Sequence, residues 1–119
     1  MAINSRAKGA EGEREIAKIL RERGFDARRG QQFSGANGDA DVVGLDHLHL
    51  EIKRVEHLNI DNAYDQSVRD AAVESERKCR EIIPTVFHRK NRRPWLVTLG
   101  LEDFIKIYKS AIGWENKHL

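Results

Sequence analysis

The sequence predicts an α/β domain built on a mixed β-sheet flanked by helices, and three observations lead to that prediction. Segments typical of helices and strands follow one another in the order α-β-β-β-α-β-β-α over 119 residues. Apolar residues recur at every third or fourth position in the helical segments and at every second position in the clearest strand. No repeat or low-complexity linker divides the chain, so we expect one domain over residues 1–119.

In the first half of the chain we expect a helix over 6–23, a strand over 25–29, a loop over 30–40 and strands over 41–43 and 48–55. Apolar residues such as Ile16 and Leu20 form one stripe along the helix, and Gly24 ends it. Glycines and small polar residues dominate the loop. The strand over 48–55 alternates strictly, so His49, Glu51 and Lys53 share the face opposite to its Leu and Ile side chains. His49 could border a site on this face, but we expect it at a solvated strand position.

In the second half we expect a helix over 61–83, strands over 86–88 and 95–99, and a final helix over 101–108. Asp61 is the predicted N-cap of the long helix, and Pro84 is predicted to end it. The predicted core stripe of that helix consists of Tyr64, Val68, Ala71, Ser75, Cys79 and Ile82. Cys79 is therefore expected to serve packing rather than catalysis. The final helix is amphipathic, with Phe104 and Tyr108 on its apolar side.

The composition excludes several classes of protein. No apolar run approaches the ~18 residues of a membrane span, and the N-terminal segment lacks the apolar region of a secretory signal. A single cysteine excludes an intramolecular disulfide and a cysteine-based zinc site, and it is typical of a reducing cytosol. We therefore expect a cytoplasmic protein with no membrane partner.

The net charge of +2 conceals a strongly uneven distribution. Residues 31–74 carry three basic and nine acidic side chains, whereas residues 1–30 carry eight basic and five acidic ones and residues 75–94 carry seven and two. An acidic middle between basic flanks indicates a carboxylate cluster that holds a cation, framed by groups that hold a polyanion. Chance clustering on a charged surface is the alternative.

The pair Glu51 and Lys53 is the sharpest local feature, because a strand brings both side chains to one face. Alone it would indicate no more than a surface salt bridge. Asp41 begins the preceding strand, and a hairpin would bring it beside Glu51. Two neighbouring carboxylates repel unless a proton or a divalent cation intervenes, and Mg²⁺ prefers such oxygen ligands. Asp41 could instead cap the loop, and Asp39 is a rival for the same role.

Glu13 strengthens the interpretation. On a helical wheel this carboxylate falls within the apolar arc of the first helix, whereas Glu11 lies outside that arc and Glu15 at its edge. A carboxylate that points toward a core needs a partner, and a metal ion or its water shell would be one. A rim position from which the side chain reaches solvent is the alternative.

The order Glu13, Asp41, Glu51, Lys53 on helix, strand and strand resembles the PD-(D/E)xK nuclease site. Over residues 8–53 the chain is similar to the Holliday junction resolvases of archaea and phages, in particular a phage-type branch, through the segments KGAEGERE, RERGF, DVV and LEIK. Ala40 stands where that family has a proline, which is not a ligand. The resemblance implies a restriction-endonuclease-like core, in a protein of a prokaryotic cell or its phage.

The resemblance also implies roles for individual residues. Asp41 and Glu51 would bind the metal ion, and Glu13 would reach the ion or its water. Lys53 would position or activate the attacking water and stabilise developing charge. The implied cofactor is Mg²⁺, with Mn²⁺ as a substitute. The expected DNA contacts at the site are Arg14, Arg29 and Ser34.

Two further basic groups are predicted to bind DNA. Arg89, Lys90, Arg92 and Arg93 form a cationic turn next to Trp95, and Arg6 and Lys8 lie near the N-terminus. Such clusters favour contacts to the phosphate backbone, although a solvated loop is the alternative. No base-reading motif is present, so we expect recognition by backbone and shape.

The sequence thus predicts a Mg²⁺-dependent endonuclease that resolves four-way junctions. Two symmetric nicks need two active sites, which implies a homodimer whose interface would be the long helix around Ala71, Ala72 and Ser75 or the last strand with Trp95. Another nuclease of the same fold, with nicking, flap or restriction-like activity, and a non-catalytic DNA-binding module are the alternatives.

Overall fold

The computed structural model describes residues 5–30 and 40–114, with the side chains of the first helix described from Gly9 onward. Three helices and five strands form in the order that the sequence predicts. They are α1 (Ser5–Glu22), β1 (Arg28–Arg29), β2 (Val42–Val43), β3 (Leu48–Arg54), α2 (Ile60–Lys78), β4 (Ile83–Arg89), β5 (Leu96–Thr98) and α3 (Leu101–Ala111).

The five strands form one mixed sheet in the order β1-β2-β3-β4-β5, which confirms the predicted fold class. β3 and β4 are parallel, with Glu51 opposite Val86, and every other neighbouring pair is antiparallel. The parallel pair requires a crossover, and α2 supplies it. The hydroxyl of Thr85 donates to the carbonyl oxygen of His49 at 2.7 Å and so adds a side-chain bond to the β3–β4 ladder.

The alternation of β3 assigns the two faces of the sheet to different partners. Leu50 and Ile52 pack with Ile16 and Val42 in the apolar core beneath α1. On the other face His49 bonds to Glu74 and Lys53 bonds to Gln66, and both partners lie on α2. One face of the strand therefore anchors the sheet, and the other presents polar side chains to α2.

A polar contact also joins α1 to the far side of the sheet. Glu15 accepts a hydrogen bond from the indole of Trp95 at 2.7 Å and pairs with the guanidinium of Arg89 at 3.1 Å. The same guanidinium lies over the Trp95 ring. This arrangement fixes the loop between β4 and β5 against α1.

The predicted boundaries and core stripe of the long helix need correction. Its N-cap is Asn59 rather than Asp61, and the helix ends at Lys78, four residues after the buried Glu74. Cys79 is the exposed C-cap in the left-handed conformation, so the expectation that it packs in the core is wrong. Val68 is exposed as well. The buried face consists of small or polar residues because it packs on the polar face of β3, and its members are Ala63, Ser67, Ala71 and Glu74.

The remaining differences concern strand ends. Pro84 does not end a helix but is the second residue of β4. Near the start of a strand its missing N–H is tolerated. β1 comprises two residues and β5 comprises three, whereas the sequence predicts five residues for each. Gly24 follows α1 with a positive φ of 96°, as the predicted stop of that helix requires.

Two glycines of α1 give a matched test of how closely this helix packs on β3. A Cβ at Gly12 would lie 3.0 Å from the Arg54 Cβ, whereas a Cβ at Gly9 would meet nothing within 4 Å. Crowding costs about 1–3 kcal/mol, and alanine gains up to about 1 kcal/mol over glycine in a helix. Denaturant unfolding should therefore show Gly12→Ala to be less stable by about 1 kcal/mol and Gly9→Ala to be more stable. Equal gains would mean that α1 does not approach β3 this closely.

Candidate functional site

Glu51 and Lys53 lie on the face of β3 that α2 covers. The Glu51 residue is only 3% exposed, and its Oε1 has no hydrogen-bond partner within the part of the chain that the structure describes. The ammonium group of Lys53 donates to the side-chain oxygen of Gln66 at 3.3 Å. An unpaired carboxylate oxygen at such depth is costly, and a bound cation would compensate it.

Asp41 lies immediately before β2 and bonds to the residues on either side of Glu51. Its backbone amide donates to the carbonyl oxygen of Leu50 at 2.9 Å, and its Oδ2 accepts from the amide of Ile52 at 2.8 Å. The antiparallel pairing of β2 with β3 creates this neighbourhood, as the predicted hairpin required. Asp41 thus stands beside the strand segment that carries Glu51.

Glu13 of α1 is a largely covered carboxylate with a cationic partner. Its side chain is 12% exposed and accepts a hydrogen bond from Arg29 at 3.0 Å. Burial raises the pKa of Glu13, and the charge of Asp41 raises it further, against the opposing effect of Arg29. Glu13 is therefore near enough to Asp41 for the two carboxylates to repel each other.

The structure does not gather Glu13, Asp41 and Glu51 into one compact set of ligand atoms. Among the described residues, the group of three whose ligand atoms all lie within 4.8 Å of one another is His49, Glu51 and Asp70. Glu51 belongs to both sets. The sequence predicts Glu51 as a site residue, but it does not predict the neighbours that α2 brings to it.

His49 is the main residue whose role the sequence analysis missed. A solvated strand position was expected, yet His49 is fully buried, and its Nδ1 lies 2.8 Å from Glu74 Oε1. Burial by itself lowers the pKa of His49, but the carboxylates of Glu51 and Glu74 outweigh that effect and raise it. The shared face of His49 and Glu51 was a usable signal, whereas the approach of Asp70 and Glu74 depends on how α2 packs.

The predicted DNA contacts differ in their surroundings. Arg14 is exposed on α1, and Lys90, Arg92 and Arg93 are exposed in the turn between β4 and β5. Arg29 is paired with Glu13. Arg89 is already bound to Glu15 and Trp95. The side chains of Arg6 and Lys8, together with Ser34 and the rival ligand Asp39, lie outside what the structure describes.

No helix in the described ranges has the length and the apolar character needed to cross a bilayer.

Comparison with known proteins identifies a family. The family model described as archaeal Holliday junction resolvase (Hjc) matches residues 4–64. No curated protein matches the chain significantly. Among solved structures the chain is similar to Hjc of Archaeoglobus fulgidus, a Holliday junction resolvase from an archaeal hyperthermophile, with 21% identity and a TM-score of 0.51 over 77% of this chain and 72% of that one. That likeness shows a shared fold.

The raised pKa of Glu13 predicts how the substitution Glu13→Gln changes the stability of the protein and how that change depends on pH. Glu13→Gln should be more stable than the metal-free wild type at neutral pH, because the amide resembles the neutral carboxyl that burial and Asp41 favour. The stability that protonation of Glu13 provides is complete below its ordinary pKa of 4.5 and is lost as the pH rises through the raised pKa. The stability advantage of Glu13→Gln should therefore vanish at about pH 4.

Denaturant unfolding with a chelator at the two pH values checks this, with the exposed Glu22→Gln on the same helix as the control. A variant less stable than the wild type at neutral pH would show that the ion pair with Arg29 outweighs the repulsion.

Proposed function

The chain belongs to the archaeal Holliday junction resolvase family and is accordingly a DNA endonuclease; we propose that it cuts four-way junctions by hydrolysing one phosphodiester bond on each of two strands. The family is metal-dependent, and we propose Mg²⁺ as the ion, with Mn²⁺ as a substitute. The observation that carries the proposal is the buried carboxylate of Glu51, with its Oε1 unpartnered, two residues from Lys53 on one strand face.

The donor set is suited to such an ion. Asp41 and Glu51 would hold it, and Glu13 would reach the ion or its water from α1. Carboxylate oxygens are the ligands of hard divalent cations, and the buried Glu51 carboxylate offers two of them. When bound, the ion lowers the pKa of a coordinated water and neutralises charge on the phosphate.

The protein side chains would perform the remaining tasks. Lys53 would orient the attacking water and stabilise the charge that grows on the phosphate, with Gln66 restricting the movement of its ammonium group. Arg29, which already neutralises Glu13, would contact the neighbouring phosphate together with Arg14. Ser34 keeps its predicted role as a further phosphate contact. These contacts are to the phosphate backbone of the DNA, so the shape of the junction would provide the selectivity.

The basic turn is proposed to extend the DNA contact beyond the site. Lys90, Arg92 and Arg93 are exposed and carry no described ion pair, so their charges are available to phosphates. Arg89 would support the turn through Glu15 and Trp95 rather than contact DNA first. Arg6 and Lys8 remain proposed contacts on the α1 side. The substrate would lie in the cytoplasm of a prokaryotic cell, on host or phage DNA.

Cleavage of a labelled junction tests the proposal. Glu51→Gln should lose at least about 100-fold in the cleavage rate with Mg²⁺ and still bind the junction, because the substitution removes a metal ligand and no DNA contact. Glu76→Gln, an exposed glutamate on α2, is the matched control and should cleave normally. Equal cutting of duplex, flap and junction would leave a general nuclease, and binding without metal-dependent cutting would leave a DNA-binding module.

We propose that the enzyme is a homodimer, because one site per chain cannot make two symmetric nicks. Of the two predicted interfaces, the long helix has Ala71 buried in its own chain, and Trp95 packs on the core. The edge strand β5 and α3 instead carry exposed apolar side chains, which are Leu96 and Val97 on β5 and Leu101, Phe104, Ile107 and Tyr108 on α3. Those of α3 recur at helical spacing and share one face, and an exposed apolar helix face is typical of a protein interface.

Two charge insertions distinguish the interfaces. Phe104→Glu should weaken dimerisation at least about 10-fold, because it introduces a charge where apolar side chains would meet. Val73→Glu makes the equivalent change at an exposed apolar position on α2 and should leave the dimer intact. Sedimentation analysis provides the readout. Dissociation by Val73→Glu alone would assign the interface to α2, and a monomeric wild type would contradict the dimer.

A further inference from the structure

We propose that the chain carries a second divalent-cation site, specific for transition metals, formed by His49 Nε2, Glu51 Oε1 and the carboxylate of Asp70. One ligand atom from each of the three residues lies within 4.8 Å of the ligand atoms of the other two. His49 and Asp70 have no part in the ligand set implied by the family resemblance, which shares only Glu51 with this group. The inference goes beyond the proposed function, since an ion can bind there whether or not DNA is cut.

Two unpartnered atoms point into this group. His49 Nε2 and Glu51 Oε1 are both buried and have no hydrogen-bond partner among the described residues. They are 3.8 Å apart, which is too far for a hydrogen bond. Two ligands of one ion, each about 2.0–2.2 Å from it, can be up to about 4 Å apart. The separation therefore suits a cation between them better than direct contact.

The opposite side of the imidazole ring prepares Nε2 for this role. Nδ1 of His49 lies 2.8 Å from Glu74 Oε1, and the other oxygen of Glu74 accepts from Lys78 at 2.8 Å. A carboxylate that accepts a hydrogen bond from Nδ1 leaves the lone pair of a neutral imidazole on Nε2. A carboxylate that orients a histidine through its other nitrogen is a recurrent arrangement behind metal-bound imidazoles.

The donor set selects the class of metal. One imidazole nitrogen and two carboxylates suit Zn²⁺, Co²⁺ or Mn²⁺, whereas Mg²⁺ favours oxygen ligands alone. A bound cation would also balance the charges of Glu51 and Asp70 at a place where the described chain offers no lysine or arginine bond to either. An imidazolium form of His49 is the rival source of positive charge.

Titration of the metal-free protein with Co²⁺, followed by visible absorption, tests the site, and Zn²⁺ competition measures affinity without DNA. We expect one ion to remain bound in Asp41→Asn and Glu13→Gln. Asp70→Asn and His49→Gln should each weaken binding at least about 10-fold, and Glu74→Gln by about 10–100-fold. Asp65→Asn, an exposed carboxylate on the same helix, is the matched control and should bind normally.

His49 is buried, so its variant is interpreted only if thermal unfolding shows it folded; the half-buried Asp70 provides the test that does not depend on this. Absence of Co²⁺ and Zn²⁺ binding, or unchanged binding in Asp70→Asn, would overturn the proposal and leave an imidazolium in the site. Loss of binding in Asp41→Asn equal to that in Asp70→Asn would assign the ion to the catalytic ligands instead. Junction cleavage with Mg²⁺ is scored separately, so failure of either proposal is recognisable.

Discussion

The alternation of β3 is the constraint on which the rest of the molecule depends. Leu50 is fully buried beneath α1, and Ile52 lies beside it, so the strand cannot slip by one residue without exchanging its two faces. This apolar anchoring forces Glu51 onto the opposite face, where α2 covers it. The parallel register with β4 and the bond from Thr85 to the His49 carbonyl hold the strand along its length. The position of the Glu51 carboxylate is therefore a consequence of core packing.

That position has an energetic cost that the fold tolerates. His49, Glu51 and Glu74 are buried polar groups in contact, and only Glu74 is fully bonded, through His49 and Lys78. A chain selected for stability alone would fill this space with apolar side chains, because buried ionic groups seldom stabilise a fold more than a packed core does. The repulsion between Glu13 and Asp41 is a second energetic cost that the fold tolerates. Such unfavourable clusters are where a protein retains function at the expense of stability.

The sequence predicted the mixed α/β fold and the order of its elements because periodicity is a local property. The local sequence is sufficient to predict the end of α1 at Gly24, the alternation of β3 and the hairpin that brings Asp41 to β3. Prediction failed where the outcome depends on a distant partner. Cys79 and Val68 fit a helical stripe in the sequence, but α2 buries Ser67 and Glu74 instead because the face of β3 that it meets is polar. His49 was expected in solvent for the same reason, since only the packing of α2 covers it.

The two faces of β3 also explain how a site of this kind can vary without loss of the fold. Substitutions on the Leu50 side alter the core under α1, where volume is constrained, whereas the α2 side holds side chains that touch one another through polar contacts. Lys53 reaches Gln66 and His49 reaches Glu74, so α2 contributes a hydrogen-bond partner to two of the polar side chains that it covers. A change on α2 can therefore alter the charge and ligand set around Glu51 while the apolar anchoring that positions Glu51 stays the same. Selection on function can act on α2 largely independently of selection on the register of the sheet.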